Sequence, residues 1–461
     1  MKMKSNLLKI AGLLLVLSLL TTAVACQKDT PPADPPTGSD AGAVVRPPFG
    51  LVDITDDGDT GGTVVDKKDL DVLLQNFWQS DTMYDESVLL VAETDEDGNV
   101  ISAPRSKLLF TPDNVQSVKQ YAPYDGEGTK EFTSDDYEIV DGYIVARGQI
   151  KPNDLTGKNE FETSLPYVTD RQLSGVDPFP HLAQNTSIPS VKDGLYLPFT
   201  ESAEIVRMQL SVTYTHTDSW QGAVPSYFGA AGLSKSVEKL KRGETVELFV
   251  FGDSISTGAN SSGVLGIAPG MPIWPELVRS GLASCYGATV NLTNKSVGGF
   301  NTRDGANGGS GWILGVPTTQ PGLEEILASE EFASYKPDIA FIGFGMNDAA
   351  MGISDEEYIY NTIKMVNALK EKNPDCDIVL IGTMVANPDA RIHSQYQTRL
   401  SSYLPYIAAR YEGVVSVNIA DMHKDILQTK RFTEISSNNV NHPNDFMARI
   451  YAMNLLSAFI R

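Results

Sequence analysis

From Glu247 to the end, the chain alternates between two textures. Short runs such as VELFVF, DIAFIGFG and DIVLIGTM are apolar at nearly every position. VVSVNIA follows the same rule, and ATVNLTNKS is a more polar strand between the first two. Longer stretches with helical spacing separate them, around 274–286, 323–332, 354–372, 396–411 and 444–460. A strand that is apolar on both faces has to be covered on both faces, and connections this long favour parallel crossovers over hairpins. The rhythm therefore predicts an α/β domain over residues 237–461, with a parallel sheet sandwiched by helices. Ser354 and Glu357 have the spacing of a capping box and open the longest of these helices.

Residues 64–236 read differently. Segments such as SVLLVAE, YEIVDGYIVA and VRMQLSVTYTH are short, rich in Val, Ile and Tyr, and punctuated by Asp-Gly, Pro and Asn. Asp97-Gly98 and Asp141-Gly142 are tight-turn signals. A mostly-β, sandwich-like domain is expected here. Before it, residues 26–63 are rich in Pro, Gly, Asp and Ser and read as a tether. Within that tether, Asp57-Gly58-Asp59 lacks the further ligands of a calcium loop and reads as solvated linker.

Residues 1–25 combine Lys2, Lys4 and Lys9 with an apolar run too short to span a membrane comfortably, and small residues follow it. This is the layout of an export signal. The sequence Ala23-Val24-Ala25-Cys26 resembles a bacterial lipobox, with Ala23 where leucine is more usual. It implies cleavage before Cys26, lipid on its sulfur and a cell-surface lipoprotein tethered to a bacterial membrane. The 58 acidic and 36 basic residues give a net charge of −22, which repels phosphate backbones and argues against nucleic acid as a partner. Cys285 and Cys376 are too few for a disulfide framework and read chiefly as buried apolar residues.

In a parallel sheet, ligands bind outside the carboxyl ends of the strands. Three polar clusters directly follow predicted strands: Gly252-Asp253-Ser254, the run from Asn294 to Thr302, and Gly345-Met346-Asn347-Asp348. A fourth, from Asn438 to Asp445, precedes the last helix and contains His442. Brought to one rim, they supply a hydroxyl, backbone N–H groups at glycines, a carboxamide and an imidazole, which are the parts needed for acyl transfer. A serine hydroxyl needs a base to take its proton, and a neutral imidazole serves near neutral pH.

These four blocks, GDSIS, NKSVGG, GMND and NHPND, resemble the SGNH (GDSL) hydrolase superfamily over roughly the last half of the chain. The resemblance implies a flavodoxin-like α/β fold with Ser254 as nucleophile and His442 as base. It implies an oxyanion hole from the N–H groups of Ser254 and Gly299 and the amide of Asn347. No cofactor and no metal are expected, since His181, His216, His393 and His423 show no ligand spacing. The two-domain layout is similar to bacterial carbohydrate esterases, so an acetylated glycan is the expected substrate. Lipase, lysophospholipase or thioesterase chemistry would use the same residues, and a non-catalytic glycan-binding lipoprotein is the rival from another class. The polar, Gly-rich loops GANSSGVLG and GFNTRDGANGGSGW lean toward sugars.

One position departs from the family. Where an aspartate usually stands three residues before the histidine, this chain has Asn439. A Ser–His dyad is expected, with Asn439 or a backbone carbonyl holding the ring; Asp445 is the weaker candidate for a substitute acid. Phe300 and Trp312 are candidates for a substrate wall. His216 and Trp220 read as strand and loop packing rather than a sugar site.

Overall fold

The rim expected from the sequence is built on a five-stranded sheet, β1 (Val246–Gly252), β2 (Val290–Asn294), β3 (Ile339–Gly343), β4 (Asp377–Gly382) and β5 (Val414–Asn418). All pairings are parallel and the order is β2-β1-β3-β4-β5. That is the flavodoxin-like order, whose direction reverses at β1. The structure, a computed structural model, describes residues 67–460 apart from 127, 183–186, 349, 394 and 395. The expected signal peptide, the Cys26 lipidation site, the tether and Asp57-Gly58-Asp59 lie outside the described residues.

Alternate residues of each strand feed two different cores. Leu248 and Val250 of β1, Phe341 of β3 and Val379 and Ile381 of β4 face one core. Phe249 and Phe251, Ala340 and Ile342, and Ile378 and Leu380 face the other. Burial on both faces is why these runs are apolar throughout. The first face is covered by α1 (Trp274–Tyr286) and α4 (Asp445–Ser457), the second by α3 (Asp355–Lys372). α2 (Thr302–Asn307) opens at the rim. The stretch 396–411, expected as one helix, is two short ones, Gln397–Ser401 and Leu404–Ala408. Pro405 lacks the N–H that would carry the first helix through, so it can only start the second.

Upstream, Thr82–Val88, Leu210–Thr215, Asn114–Gln120 and Lys130–Phe132 form an antiparallel sheet in that order. A second sheet runs Val168–Thr169, Val91–Ala92, Arg105–Lys107, Tyr143–Ala146, Tyr137–Val140. Asp141 and Gly142 both have positive φ and form the two-residue hairpin loop their sequence signalled. His216 is buried and stacked on Phe110, and the Trp220 indole donates to the Ala223 carbonyl. Both are packing residues. Cys285 and Cys376 are unpaired; Cys376 is buried, as expected, but Cys285 is exposed.

The two regions share one core. Met83, Val88, Val212 and Tyr214 of the strand-rich region belong to the same apolar cluster as Leu248, Trp274 and Ile450. Every residue of α4 from Phe446 to Ser457 is buried, since one side packs on the sheet and the other meets the strand-rich region. The expected boundary at 236/237 falls inside the helix Ser234–Lys241, where Ser236 is hydrogen-bonded through N–H and Oγ to Asp377 of β4. That helix belongs with the sheet.

Candidate active site

Strand pairing sets up the rim. Gly252 at the end of β1 lies in register with Gly343 at the end of β3. Ser254 and Asn347 therefore leave the sheet on adjacent strands at the point where the strand order reverses. A side chain at Gly252 would collide with the Gly343 carbonyl and the Ser256 hydroxyl, so the turn after β1 requires glycine there. β2 ends at Asn294, and the Asn294 side-chain amide donates to the Ser256 carbonyl (2.8 Å), tying the second block to the first.

Gly299 has φ +83°, a left-handed conformation that glycine adopts without strain. A Cβ on Gly298 would lie 3.6 Å from the Ser254 Cβ, so the two glycines run directly past the serine. They are held there by the hairpin Gly309–Ile313/Val316–Gln320. The N–H of Gly298 donates to the Trp312 carbonyl (2.7 Å), and the Trp312 N–H donates back (3.0 Å). The Trp312 indole lies against Gly299 and is 54% exposed, in keeping with a wall beside the site. Phe300, expected beside it, is fully buried in the core under β1 and β3. It supports the loop from below and lines nothing.

Neither the helix α2 nor the hairpin was foreseen; the stretch GFNTRDGANGGSGW reads as a polar loop. Asn301 and Asp304 form a reciprocal capping box at the start of α2, and that spacing was the available signal. Thr302 donates through its N–H (3.1 Å) and its hydroxyl to Asp348, which joins this block to the next. Asn347 is buried and spends one amide hydrogen on the Phe300 carbonyl (2.8 Å), leaving a second to donate. Among the described residues, the N–H groups of Ser254 and Gly299 meet no acceptor.

His442 is positioned by its own loop. The Asn438 Oδ1 accepts from the N–H groups of Val440, Asn441 and His442, each at 3.0 Å, which folds the turn. His442 Nε2 lies 2.9 Å from Ser254 Oγ. Both residues are buried. On the other side of the ring, Nδ1 is hydrogen-bonded to Asn260 Oδ1 and lies 3.2 Å from Glu201 Oε2.

Asn439 does not reach the imidazole. Its φ is +62°, and its amide donates to the Pro198 carbonyl (3.0 Å) while its Oδ1 accepts from Asn387 (3.0 Å). Asp445 is also turned away, because its Oδ1 accepts from the Ser262 N–H (2.9 Å). The expected ring-holding role of Asn439 is therefore replaced by Asn260 and Glu201, neither of which the sequence singled out. Asn260 sat in a loop read only as polar, and Glu201 lies in a region without any signature.

Burial pushes the Asp253 carboxyl up to about 7 and the Asp348 carboxyl up to about 6. Asp253 Oδ1 accepts from the Ile255 N–H (3.0 Å), which braces the turn bearing Ser254. At Glu201 partial burial acts upward. The hydrogen bond and charge of His442 and the amides of Asn438 and Asn260 outweigh it, and the carboxyl lies below its usual range. Among the described residues, no cluster of His, Cys, Asp and Glu is arranged to hold a metal ion.

Residues 250–450 match the model of the GDSL-like lipase/acylhydrolase family. Comparison with curated protein sequences found no match. Among solved structures, the chain is similar to a two-domain esterase active on acetylated mannans, co-crystallised with mannopentaose. Identity there is 17% and the TM-score 0.35, over 49% of this chain and 52% of that one. The chain thus spans about half the length of that relative. An acetyl xylan esterase from Geobacillus stearothermophilus shows 18% identity and a TM-score of 0.36, over 48% of this chain and 99% of its own. A carbohydrate esterase family 3 protein from Talaromyces cellulolyticus shows 15% identity and a TM-score of 0.33, over 46% and 94%. With the four blocks in place on the sheet, residues 250–450, under half of the chain, carry the likeness to the GDSL-like lipase/acylhydrolase family.

Proposed function

We propose that this protein is a serine esterase that removes acetyl groups from a polysaccharide or oligosaccharide. The observation that carries the reading is the 2.9 Å approach of His442 Nε2 to Ser254 Oγ, beside N–H groups that meet no acceptor among the described residues. In the proposed reaction, Ser254 Oγ attacks the ester carbonyl carbon as its proton passes to His442 Nε2. The carbonyl π pair moves onto oxygen, and the N–H groups of Ser254 and Gly299 and the Asn347 amide receive that oxyanion. When the oxyanion collapses, His442 returns the proton to the departing sugar oxygen. The acetyl–serine is then hydrolysed by water with the same base.

The side chains at Nδ1 of His442, Asn260 and Glu201, are polar, as is Asn438 behind them. Trp312 presents a half-exposed ring of the kind that stacks on a sugar face. This favours a short acyl group on a polar alcohol. Export and lipid attachment at Cys26 belong to the same proposal, and would place the enzyme where external glycans are met.

The test is hydrolysis of p-nitrophenyl acetate and of acetylated oligosaccharides by the full chain and by Ser254→Ala. The variant is expected to lose activity by roughly 10⁴-fold or more. Parental activity in Ser254→Ala would end the esterase assignment for this site. A rate that rises with acyl chain length would point to a lipase instead.

A further inference from the structure

We propose that Glu201, delivered by the strand-rich region, is a positioning residue of the esterase, supplying the negative charge that sustains His442 as it takes the serine proton. The inference rests on the Ser254–His442 reading above. Glu201 follows the short strand Tyr196–Pro198, more than 200 residues away from His442 along the chain. The segment carrying it lies across the histidine loop. The Pro198 carbonyl accepts from Asn439, and the Ser190 backbone bridges to Ala390. Glu201 itself is held at both ends: its carbonyl accepts from the Asn260 amide (2.6 Å) and its Oε1 from the Asn438 amide (3.4 Å).

These contacts divide the work at Nδ1. Because the Asn260 NH₂ is committed to the Glu201 carbonyl, its Oδ1 is the atom left to face the ring. Asn260, at φ +63°, thereby fixes which ring nitrogen carries the proton. A carboxamide is neutral, however, and adds no charge to favour imidazolium. Glu201 Oε2, at 3.2 Å, supplies it. The other titratable groups acting on His442 are Asp253, from the end of β1, and His393, from the loop after β4. Burial holds the His393 imidazole below its usual range, so it opposes imidazolium little. The Glu201 charge also acts on His393, opposing the effect of burial there, so a change at position 201 leaves His393 still less able to carry a proton.

An acid from outside the α/β domain also accounts for Asn439. The usual position three residues before the histidine is free to serve as a structural tie, since the charge arrives from elsewhere. Residues 237–461 alone would keep all four sequence blocks and lack the acid.

The experiment measures kcat and KM for p-nitrophenyl acetate from about pH 5 to pH 9 with full-length Glu201→Gln, Glu201→Ala and Asn260→Ala, each checked by thermal melting. The Glu201 side chain is 55% exposed, so its variants are expected to melt close to the parent. Both are expected to lose about tenfold in kcat with KM unchanged, and to move the acidic limb of kcat/KM down by about one pH unit. Asn260→Ala is expected to lose kcat without that shift. Parental kcat and a parental acidic limb in both Glu201 variants would overturn the proposal, even if Ser254→Ala is inactive. Activity in Ser254→Ala would instead overturn the esterase reading on which it rests.

Discussion

The rim bearing Ser254 and the histidine loop are neighbours in space but are built in different ways. Ser254, Gly299 and Asn347 follow the ends of β1, β2 and β3 by a few residues, and their positions come from parallel strand pairing. The histidine loop follows no strand. It is held by its own asparagines and by the strand-rich region: Pro198 on Asn439, Glu201 at His442, and Ser87 and Gln209 on Asn444. A second tie lies beneath it, where buried Lys430 bridges Glu86 (2.9 Å) and Glu434 (3.1 Å). Glu86 also accepts from the Tyr214 hydroxyl (2.5 Å) and Glu434 from the Ser106 hydroxyl. The rim should therefore be robust to changes upstream, whereas the placement of His442 should depend on them.

The largest effect should come from cutting that tie. Lys430→Met leaves the carboxylates of Glu86 and Glu434 buried without their shared cation, and is expected to cost about 3–5 kcal/mol in urea denaturation. A loss below about 1 kcal/mol would mean that this network does not bind the two regions. Next is the rim: Asn347→Ala removes one proposed oxyanion donor and should lower kcat by roughly 10²–10³-fold. Because only its bond to the Phe300 carbonyl is lost, stability should fall by only about 1 kcal/mol. Should stability collapse instead, the rim is not the self-supporting part described here. The smallest effect concerns Asn439. Asn439→Asp replaces the amide that donates to Pro198 with an oxygen facing that carbonyl, and should cost about 1–3 kcal/mol of stability. Its pH–rate profile should match the parent. A displaced acidic limb would show that position 439 senses the ring after all.

Much of the rim was legible because its determinants are local. Apolar strands end abruptly at Gly-Asp-Ser, at Asn294 and at Gly345, and a parallel sheet places such ends together whatever lies elsewhere. Phe300 was misjudged because alternation along a loop is not fixed by strand period, so its side chain fell inward rather than onto the rim. The break at Pro405 was visible in the sequence, but the apolar spacing on either side of it hid the interruption.

The sequence by itself determined the α/β class, the strand-rich region before it, the four blocks and their order along the rim. Those features follow from residue type, periodicity and strand ends, which are properties of neighbours along the chain. Only the tertiary structure decided that Asn439 faces Pro198, that Asn260 faces the imidazole and that Glu201 stands behind it. The reason is physical. A charge contact across the roughly 240 residues between Glu201 and His442 leaves no local spacing behind. It exists only because both regions share one core, around a last helix buried on every side.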